Sequence, residues 1–245
     1  MFRRRVRDPL ATPIRWAVIA AAIAGAALGS KLLYWLEGPQ LTWQNFRDPA
    51  YLMGGKTIVG ALIFGLISVD LFKRYIRVRQ SSGDLYAIPL AIGIAIGRIG
   101  CFLTGVSDNT YGTPTHLPWA IDFGDGIPRH PTQLYEIAFL LLLIPVLYVI
   151  LSRIAALSGA EGSQGDALVG SEDSYAQHRR FLPGDTFKFF MVVYLSFRLL
   201  CDFLKPYPRL LLGLGGIQWA CLLTLLYYSS DIVRWLKPQR FEMTK

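Results

Sequence analysis

The sequence predicts an all-α membrane protein, a polytopic bundle of about six transmembrane helices with a structured loop region on its outer side. Three observations support this fold class. The chain of 245 residues is 53% hydrophobic and only 17% charged, whereas a soluble domain carries about 25% charged residues. Its mean hydropathy is +0.37, and the apolar residues lie in long blocks. The basic residues cluster between those blocks, as they do in loops at a membrane surface.

Six apolar stretches have the approximate length of a membrane span. Such a helix needs about 20 residues, because about 30 Å of hydrocarbon is crossed at 1.5 Å per residue. The stretches are Ile14–Leu36, Tyr51–Phe72, Leu85–Thr104, Leu134–Leu151, Thr186–Leu204 and Leu214–Trp235. The first could instead be a signal peptide, since arginines precede it and small residues lie near Ala26–Ser30. Its apolar run continues to Leu36, which favours a span.

The basic residues predict the orientation of the chain. They form four clusters, before the first span, after the second, between the fourth and fifth, and after the sixth. Because cytoplasmic loops carry the excess of Lys and Arg, both termini of this multi-pass protein are predicted to be cytoplasmic. Most of the net charge of +8 is then explained by topology, so nucleic acid is excluded as a partner.

The whole chain, residues 1–245, is predicted to be one integral-membrane domain. Residues 158–185 are rich in Gly, Ser and acidic residues and show no apolar period, which is typical of a flexible cytoplasmic loop. The three cysteines lie in apolar segments and form no cluster with histidines, so neither a disulfide framework nor a metal site is expected. We expect no cofactor.

Three cationic side chains lie inside predicted spans, where ionisable groups are costly and are candidates for function. Arg98 and Arg198 each lie about six residues before the outer end of their span, and Lys56 lies about five residues after its span enters from that side. At 1.5 Å per residue, all three lie within roughly 10 Å of the outer surface. Gly97 and Gly100 remove bulk beside Arg98 and would permit close helix packing.

An anion with apolar tails would suit such a cluster, because the planar fork of arginine binds phosphate oxygens in bidentate fashion. The phosphate of an outer-leaflet phospholipid lies at this depth. We therefore predict a lipid-phosphate pocket that Arg98, Arg198 and Lys56 share. Two other interpretations remain open: Lys56 could extend to the surface, and Arg198 could form an internal ion pair with Asp202, four residues on.

The segment IPRHPTQLYE (Ile127–Glu136) joins the outer loop to the fourth span and is rich in polar residues: Arg129, His130, Gln133, Tyr135 and Glu136. His130 follows an arginine and precedes Glu136 by six residues, which makes it a candidate general base, although a histidine in a loop is usually polar surface. Tyr135 could be an interfacial anchor. Glu136 could favour the helix N-terminus through the helix dipole.

These motifs resemble those of the prolipoprotein diacylglyceryl transferase family. The resemblance extends from about Tyr51 to Trp235 and rests on GRIGCFLTG, a Gly-rich outer loop, PRHPTQLYE, FRLLCDF and GLGGIQW. It implies an enzyme of the bacterial cytoplasmic (inner) membrane with a periplasmic loop region. Family members transfer a diacylglyceryl group from phosphatidylglycerol to a lipobox cysteine thiol and release glycerol phosphate. Phosphatidylglycerol, and prolipoprotein signal peptides as acceptors, are therefore the expected partners.

The resemblance also implies roles for individual residues. Arg98 would bind the lipid phosphate, and Arg198, oriented by Asp202, would neutralise charge on the leaving group. Lys56 and His130 complete the expected catalytic set. The remaining expected substrate-binding residues are Gly97, Gly100, Arg129, Tyr135 and Glu136.

The chain departs from the family pattern at two places. The family has a His-Gly-Gly proposed to supply the base that forms the thiolate, whereas this chain has GGKTIVG, with Gly55 or Lys56 at the histidine's position. The GRIG motif continues with Cys101 in place of the family's Asn. Lys56, next to the missing histidine, and His130 are therefore the candidate bases, and the acceptor could differ from a lipoprotein cysteine.

Two functions from different classes follow. The first is a phosphatidylglycerol-dependent diacylglyceryl transferase, which the retained Arg98, Arg198, Asp202 and PRHPTQLYE favour. The second is a non-catalytic protein that binds or moves phospholipid, which the missing histidine favours. A helical adaptor is a third interpretation, but it would not require cations at one depth in three helices. The sequence favours the enzyme.

Overall fold

The computed structural model describes residues 10–78, 80–163, 182–207, 209 and 211–236. These residues confirm the predicted all-α membrane fold. Their helices are α1 (Thr12–Glu37), α2 (Pro39–Gln44), α3 (Pro49–Met53), α4 (Ile58–Tyr75), α5 (Asp84–Thr104), α6 (Thr132–Ser163), α7 (Asp185–Cys201), α8 (Gly216–Tyr227) and α9 (Ser229–Leu236). Short 3₁₀ turns follow α5 at Gly105–Asp108 and α7 at Asp202–Leu204.

Each of the six apolar stretches contains an α-helix, since a helix satisfies its own backbone groups where water is absent. Among the described residues, three helices are long and apolar enough to cross a membrane: Thr12–Glu37, Asp84–Asp108 and Thr132–Ala155. The other three differ from expectation. The second begins at Ile58 rather than Tyr51, the fifth has 17 residues, and the sixth is divided at Tyr228 into α8 and α9.

Helices α1 and α4 pack with their backbones in close approach. A Cβ atom added to Gly29 would lie 2.2 Å from Cβ of Phe64, and one added to Gly25 would lie 2.4 Å from Cβ of Ser68. No larger side chain fits at either position without moving α4. Small residues therefore form this interface, as is common between membrane helices.

The expectation that Gly97 and Gly100 allow close packing of α5 is wrong. Both are exposed, and an added Cβ atom at either would meet nothing within 4 Å. The buried side of α5 is instead formed by residues four apart, which share one helical face: Ala87, Ala91 and Ala95. Arg98, three residues beyond Ala95, continues that buried face.

The loop between α5 and α6 is structured, as predicted. Two short antiparallel strands, β1 (Ile121–Asp122) and β2 (Pro128–Arg129), pair with Ile121 opposite Arg129. Oδ1 of Asp122 accepts hydrogen bonds from the next turn, from the N–H groups of Gly124, Asp125 and Gly126. The hydroxyl of Thr132 donates to the carbonyl of Thr110 at 2.7 Å, which ties the loop to the start of α6.

The predicted loop at 158–185 is helical at its beginning, because α6 continues to Ser163, and α7 begins at Asp185. Residues 164–181 lie outside the described residues. Residues 1–9 and 237–245 also lie outside the described residues, and they carry many of the basic residues from which the orientation was predicted. Cytoplasmic termini and the flexible loop remain predictions.

Asp84, the first residue of α5, caps the N-terminus of α7. Its Oδ1 accepts hydrogen bonds from the N–H groups of Thr186 at 2.9 Å and Phe187 at 3.3 Å, and its Oδ2 accepts from Gly184. The residue at the N-cap position of α7 is Gly184, whose own side chain offers no acceptor. A carboxylate at a helix N-terminus satisfies unpaired N–H groups and interacts favourably with the helix dipole.

Asp84→Ala is expected to destabilise the fold by about 1–3 kcal/mol, because it leaves buried N–H groups without an acceptor. Thermal unfolding of the purified protein in detergent, followed by circular dichroism, measures the effect. Asp48→Ala is the matched control, since Asp48 caps only the short, exposed helix α3. Equal unfolding temperatures for the two variants would contradict the capping role of Asp84.

Candidate active site

One buried carboxylate joins two arginines from different helices. Oε2 of Glu136 lies 2.9 Å from Nε of Arg98 and 3.1 Å from Nη1 of Arg198. Glu136, Arg98 and Arg198 are 1%, 5% and 3% exposed, respectively. On the other oxygen, the hydroxyl of Tyr194 donates a hydrogen bond to Oε1 at 2.7 Å. We call Arg98, Arg198 and Glu136 the arginine cluster.

The positions of these residues along their helices explain why they meet. Arg98 lies near the end of α5, Glu136 near the start of α6 and Arg198 near the end of α7. Because α6 runs opposite to its two neighbours, these three helix ends lie at one end of the bundle. A charge in an apolar interior must be paired, and each helix supplies a partner for another.

The arginine cluster retains hydrogen-bond donors for an anion. Two guanidinium groups share one carboxylate, and Nε of Arg198 is buried without a hydrogen-bond partner among the described residues. Asp202, four residues after Arg198, places Oδ1 3.7 Å from its Nη2, which is an ion pair but longer than a hydrogen bond. Guanidinium donors in a fixed geometry match the oxygens of a phosphate.

Lys205 is a further cation that is buried near the arginine cluster. It follows the 3₁₀ turn after α7, is 4% exposed, and places Nζ 5.4 Å from the ring centroid of Tyr207. Burial and the neighbouring charges of Arg198 and Arg98 lower its pKa to about 7. In the sequence, Lys205 lies one residue beyond the fifth apolar stretch, Thr186–Leu204, and so outside the predicted spans. Its spacing could have placed Lys205 on the helical face of Arg198, since steps of four, four and three residues join Tyr194, Arg198, Asp202 and Lys205.

Lys56, the expected third cation, takes no part in the arginine cluster within the described contacts. Its side chain is exposed, and it lies near enough to Lys31 for their charges to repel. The turn before it is held elsewhere: Nζ of Lys31 donates to the carbonyls of Met53, Gly54 and Gly55. Gly55 has a φ of +47°, and an added Cβ would lie 2.2 Å from the ring of Tyr34. This segment therefore serves packing against α1.

The polar segment before α6 is divided between two environments. Arg129 is buried within the outer loop, where its Nη1 lies 2.6 Å from Oδ1 of Asp125 and its guanidinium lies 4.6 Å from the ring centroid of Tyr111. Its hydrogen bond lowers the pKa of Asp125. Only Glu136 of this segment contacts the arginines in the described structure.

His130 and Tyr135 form a hydrogen-bonded group at the start of α6. Nδ1 of His130 lies 3.1 Å from the hydroxyl oxygen of Tyr135, which also accepts a hydrogen bond from Nε1 of Trp119 at 2.8 Å. Tyr135 and Trp119 line an apolar groove together with Leu134 and Ala138. Substrate contact by Arg129, His130, Tyr135, Gly97 and Gly100 remains a prediction. The described residues contain no group of three His, Cys, Asp or Glu side chains that could hold a metal ion.

The chain matches a family of known proteins along nearly its whole length. The family model described as "Prolipoprotein diacylglyceryl transferase" matches residues 2–236, nearly the whole chain. The chain belongs to this family. The match includes every helix that contributes to the arginine cluster.

Curated relatives carry the name phosphatidylglycerol–prolipoprotein diacylglyceryl transferase. The protein of Methylococcus capsulatus is 40% identical over 154 residues, which are 56% of this chain and 55% of the relative. For Bordetella parapertussis the identity is 36%, over 49% and 47% of the two chains. For Rhodospirillum centenum it is 30%, over 86% and 75%. The chain spans about half the length of the first relatives it matches. No solved structure matches it.

Glu136→Gln is expected to destabilise the protein by about 3–5 kcal/mol, because it leaves two buried guanidinium groups without their shared counter-charge. Thermal unfolding in detergent measures the loss. Asp202→Asn is the matched control and should cost less, since Asp202 lies farther from Arg198 than Glu136 does. A larger loss in Asp202→Asn would show that Glu136 is not the main counter-ion.

Proposed function

We propose that this protein transfers a diacylglyceryl group from phosphatidylglycerol to a thiol, with a prolipoprotein cysteine as the expected acceptor. The observation that carries the proposal is the arginine cluster, in which two buried guanidinium groups share one carboxylate. Membership of the transferase family and the names of its relatives support it. The acceptor peptide would come from the bilayer or the periplasmic side, next to the apolar groove beside Trp119.

The proposed step is a displacement at carbon. The thiolate sulfur attacks the carbon of the diacylglyceryl unit that is bonded to the phosphate oxygen. A new S–C bond forms, and the C–O bond between that carbon and the phosphate oxygen breaks. Glycerol phosphate leaves with the electron pair of that bond. Its phosphate changes from a diester with one negative charge to a monoester with two, so Arg98 and Arg198 would bind the transition state more strongly than the substrate.

Lys205 is the proposed base for the acceptor thiol. A free thiol has a pKa of about 8.5, so its proton must be removed for attack at neutral pH. With a pKa of about 7, Lys205 is partly neutral at that pH and can accept the proton. Burial beside Arg198 supports this assignment over Lys56, which is exposed, and over His130, which is hydrogen-bonded to Tyr135.

A non-catalytic phospholipid-binding or lipid-moving protein is the second candidate function. It would use the same phosphate contacts and need no base. The missing His-Gly-Gly favours it. Incubation of the purified protein with phosphatidylglycerol and a lipobox peptide, followed by mass spectrometry, distinguishes the two: a diacylglyceryl thioether and free glycerol phosphate support the transferase, and bound lipid without product supports the alternative.

Arg98→Ala is expected to abolish formation of the thioether. The anion loses a charge-assisted hydrogen bond and its counter-charge, a loss of about 2–5 kcal/mol. Arg98→Lys should recover only part of the activity, because a lysine lacks the bidentate fork. Mass spectrometry of the product measures both rates.

Arg153→Ala is the control for Arg98, since Arg153 is exposed on α6 and more than ten residues beyond Glu136. It should react at the wild-type rate. Full activity in Arg98→Ala would remove Arg98 from the site.

The pH dependence of the reaction tests Lys205. Below pH about 7 the free enzyme holds Lys205 as an ammonium, which cannot accept a proton, so kcat/KM should rise as pH increases through about 7. A bound phosphate favours the ammonium form and raises its pKa, so the corresponding limb of kcat should lie at higher pH. In Lys205→Met the rise near pH 7 should disappear, leaving only the rise from ionisation of the thiol near 8.5.

Lys56→Met is the matched control, in which the rise near pH 7 should persist. The base assignment fails if Lys205→Met retains that rise. It also fails if Lys205→Met loses phosphatidylglycerol binding while its pH profile is unchanged, since Lys205 would then be a phosphate ligand.

A further inference from the structure

A second group of buried polar atoms has no hydrogen-bond partner within the described part of the chain. These atoms are Oε1 of Glu37, Oδ1 of Asp202 and Nε2 of Gln218. Their residues are 8%, 5% and 2% exposed. A buried polar atom without a partner is destabilising, and three of them from separate segments require an explanation.

The three residues come together at the same end of the bundle as the arginine cluster. Glu37 is the last residue of α1, and its Cα would lie 3.3 Å from a Cβ added to Gly216. Gln218 follows two residues later in the first turn of α8. Oδ1 of Asp202 lies 3.7 Å from Nη2 of Arg198, an ion pair without a hydrogen bond, and the charges of both residues act on Glu37. Asp202 therefore connects this polar group to the guanidinium of Arg198.

The hydrogen bonds fix which atoms remain available. Oε1 of Gln218 accepts a hydrogen bond from the N–H of Gly215 at 2.8 Å, so the amide nitrogen is the atom left as a donor. Glu37 and Asp202 each offer an oxygen that can only accept, when ionised. The group thus presents two acceptors and one donor.

A pair of neighbouring hydroxyl groups matches this set. Each hydroxyl has one hydrogen to donate, here to Glu37 and Asp202, and an oxygen that can accept from Gln218. An ammonium group would satisfy both carboxylates but leave the amide donor of Gln218 unpaired. A second phosphate would be repelled by both carboxylates.

We propose that Glu37, Asp202 and Gln218 form a subsite for the vicinal diol of a phosphoglycerol headgroup whose phosphate lies on the arginine cluster. This inference rests on the proposed function, because it places the headgroup of the lipid donor. In the transferase reaction the headgroup leaves as glycerol phosphate, so the subsite holds the leaving group and selects lipids by it. Glu37 and Gln218 are then specificity-determining residues.

Binding of three lipids tests the subsite. The full-length protein in phosphatidylcholine nanodiscs is titrated with phosphatidylglycerol, phosphatidylpropanol or phosphatidylethanolamine, and bound lipid is counted by native mass spectrometry. Phosphatidylpropanol has the same phosphate and the same number of headgroup carbons but no hydroxyl. The wild type should prefer phosphatidylglycerol over phosphatidylpropanol by about tenfold or more, since the analogue leaves three buried polar atoms unpaired.

Two variants test whether Glu37 and Gln218 cause the preference for phosphatidylglycerol. Glu37→Leu should bring the preference close to one, because it removes an acceptor that only the hydroxyl groups of phosphatidylglycerol use. Gln218→Glu keeps the acceptor for Gly215 but replaces the donor with a carboxylate oxygen, so it should shift preference towards phosphatidylethanolamine. Gln44→Glu, on the exposed side of α2, is the matched control and should behave as the wild type.

Three results would overturn the subsite: equal wild-type affinity for phosphatidylglycerol and phosphatidylpropanol, equal loss of both lipids in Glu37→Leu, or wild-type preference for phosphatidylethanolamine over phosphatidylglycerol. Failure of the proposed function looks different. A protein that selects phosphatidylglycerol but forms no thioether contradicts the transferase and leaves the subsite intact. A protein that forms thioether equally from phosphatidylglycerol and phosphatidylpropanol contradicts the subsite alone.

Discussion

The carboxylate of Glu136 is the interaction on which this end of the molecule depends. Between charges about 3 Å apart, attraction is far stronger in a low-dielectric interior than in water, and an unpaired guanidinium there is strongly destabilising. Because Arg98, Glu136 and Arg198 lie on α5, α6 and α7, pairing them joins three helices. Asp84 joins α5 and α7 at the opposite end, so polar contacts hold these two helices together at both ends.

Sharing one carboxylate between two arginines also has a chemical consequence. Glu136 and Tyr194 hold the guanidinium groups in place before any ligand binds, and such preorganised donors need no rearrangement during the reaction. Asp202 lies 3.7 Å from Nη2 of Arg198, too far for a hydrogen bond, and Nε of Arg198 has no hydrogen-bond partner among the described residues. The contact with Glu136 therefore stabilises the fold and leaves N–H donors for a phosphate.

The sequence predicted which end of the bundle holds the two arginines better than it predicted their neighbours. Counting residues along each helix placed Arg98 and Arg198 near the same end, and both side chains meet Glu136 there. Which side of a helix faces which partner depends on packing among several helices, so Glu136 was interpreted as a helix-terminus residue. Lys56 was expected beside the two arginines, but Lys31 holds the turn that precedes it, and its side chain is exposed. Glu37 lies at the end of α1, where apolar periodicity does not indicate which way a side chain points.

Lys205, the proposed base, is only partly protonated in the free protein near neutral pH, because its pKa is about 7. When the thiol proton moves to Lys205, an ammonium forms in the same step in which the leaving phosphate gains its second negative charge. The ammonium lies beside Arg198, where repulsion disfavours it in the free protein and the new phosphate charge favours it. Proton transfer and C–O cleavage would thus assist each other. A lysine permanently charged at this position would stabilise the phosphate but leave the thiol without a base.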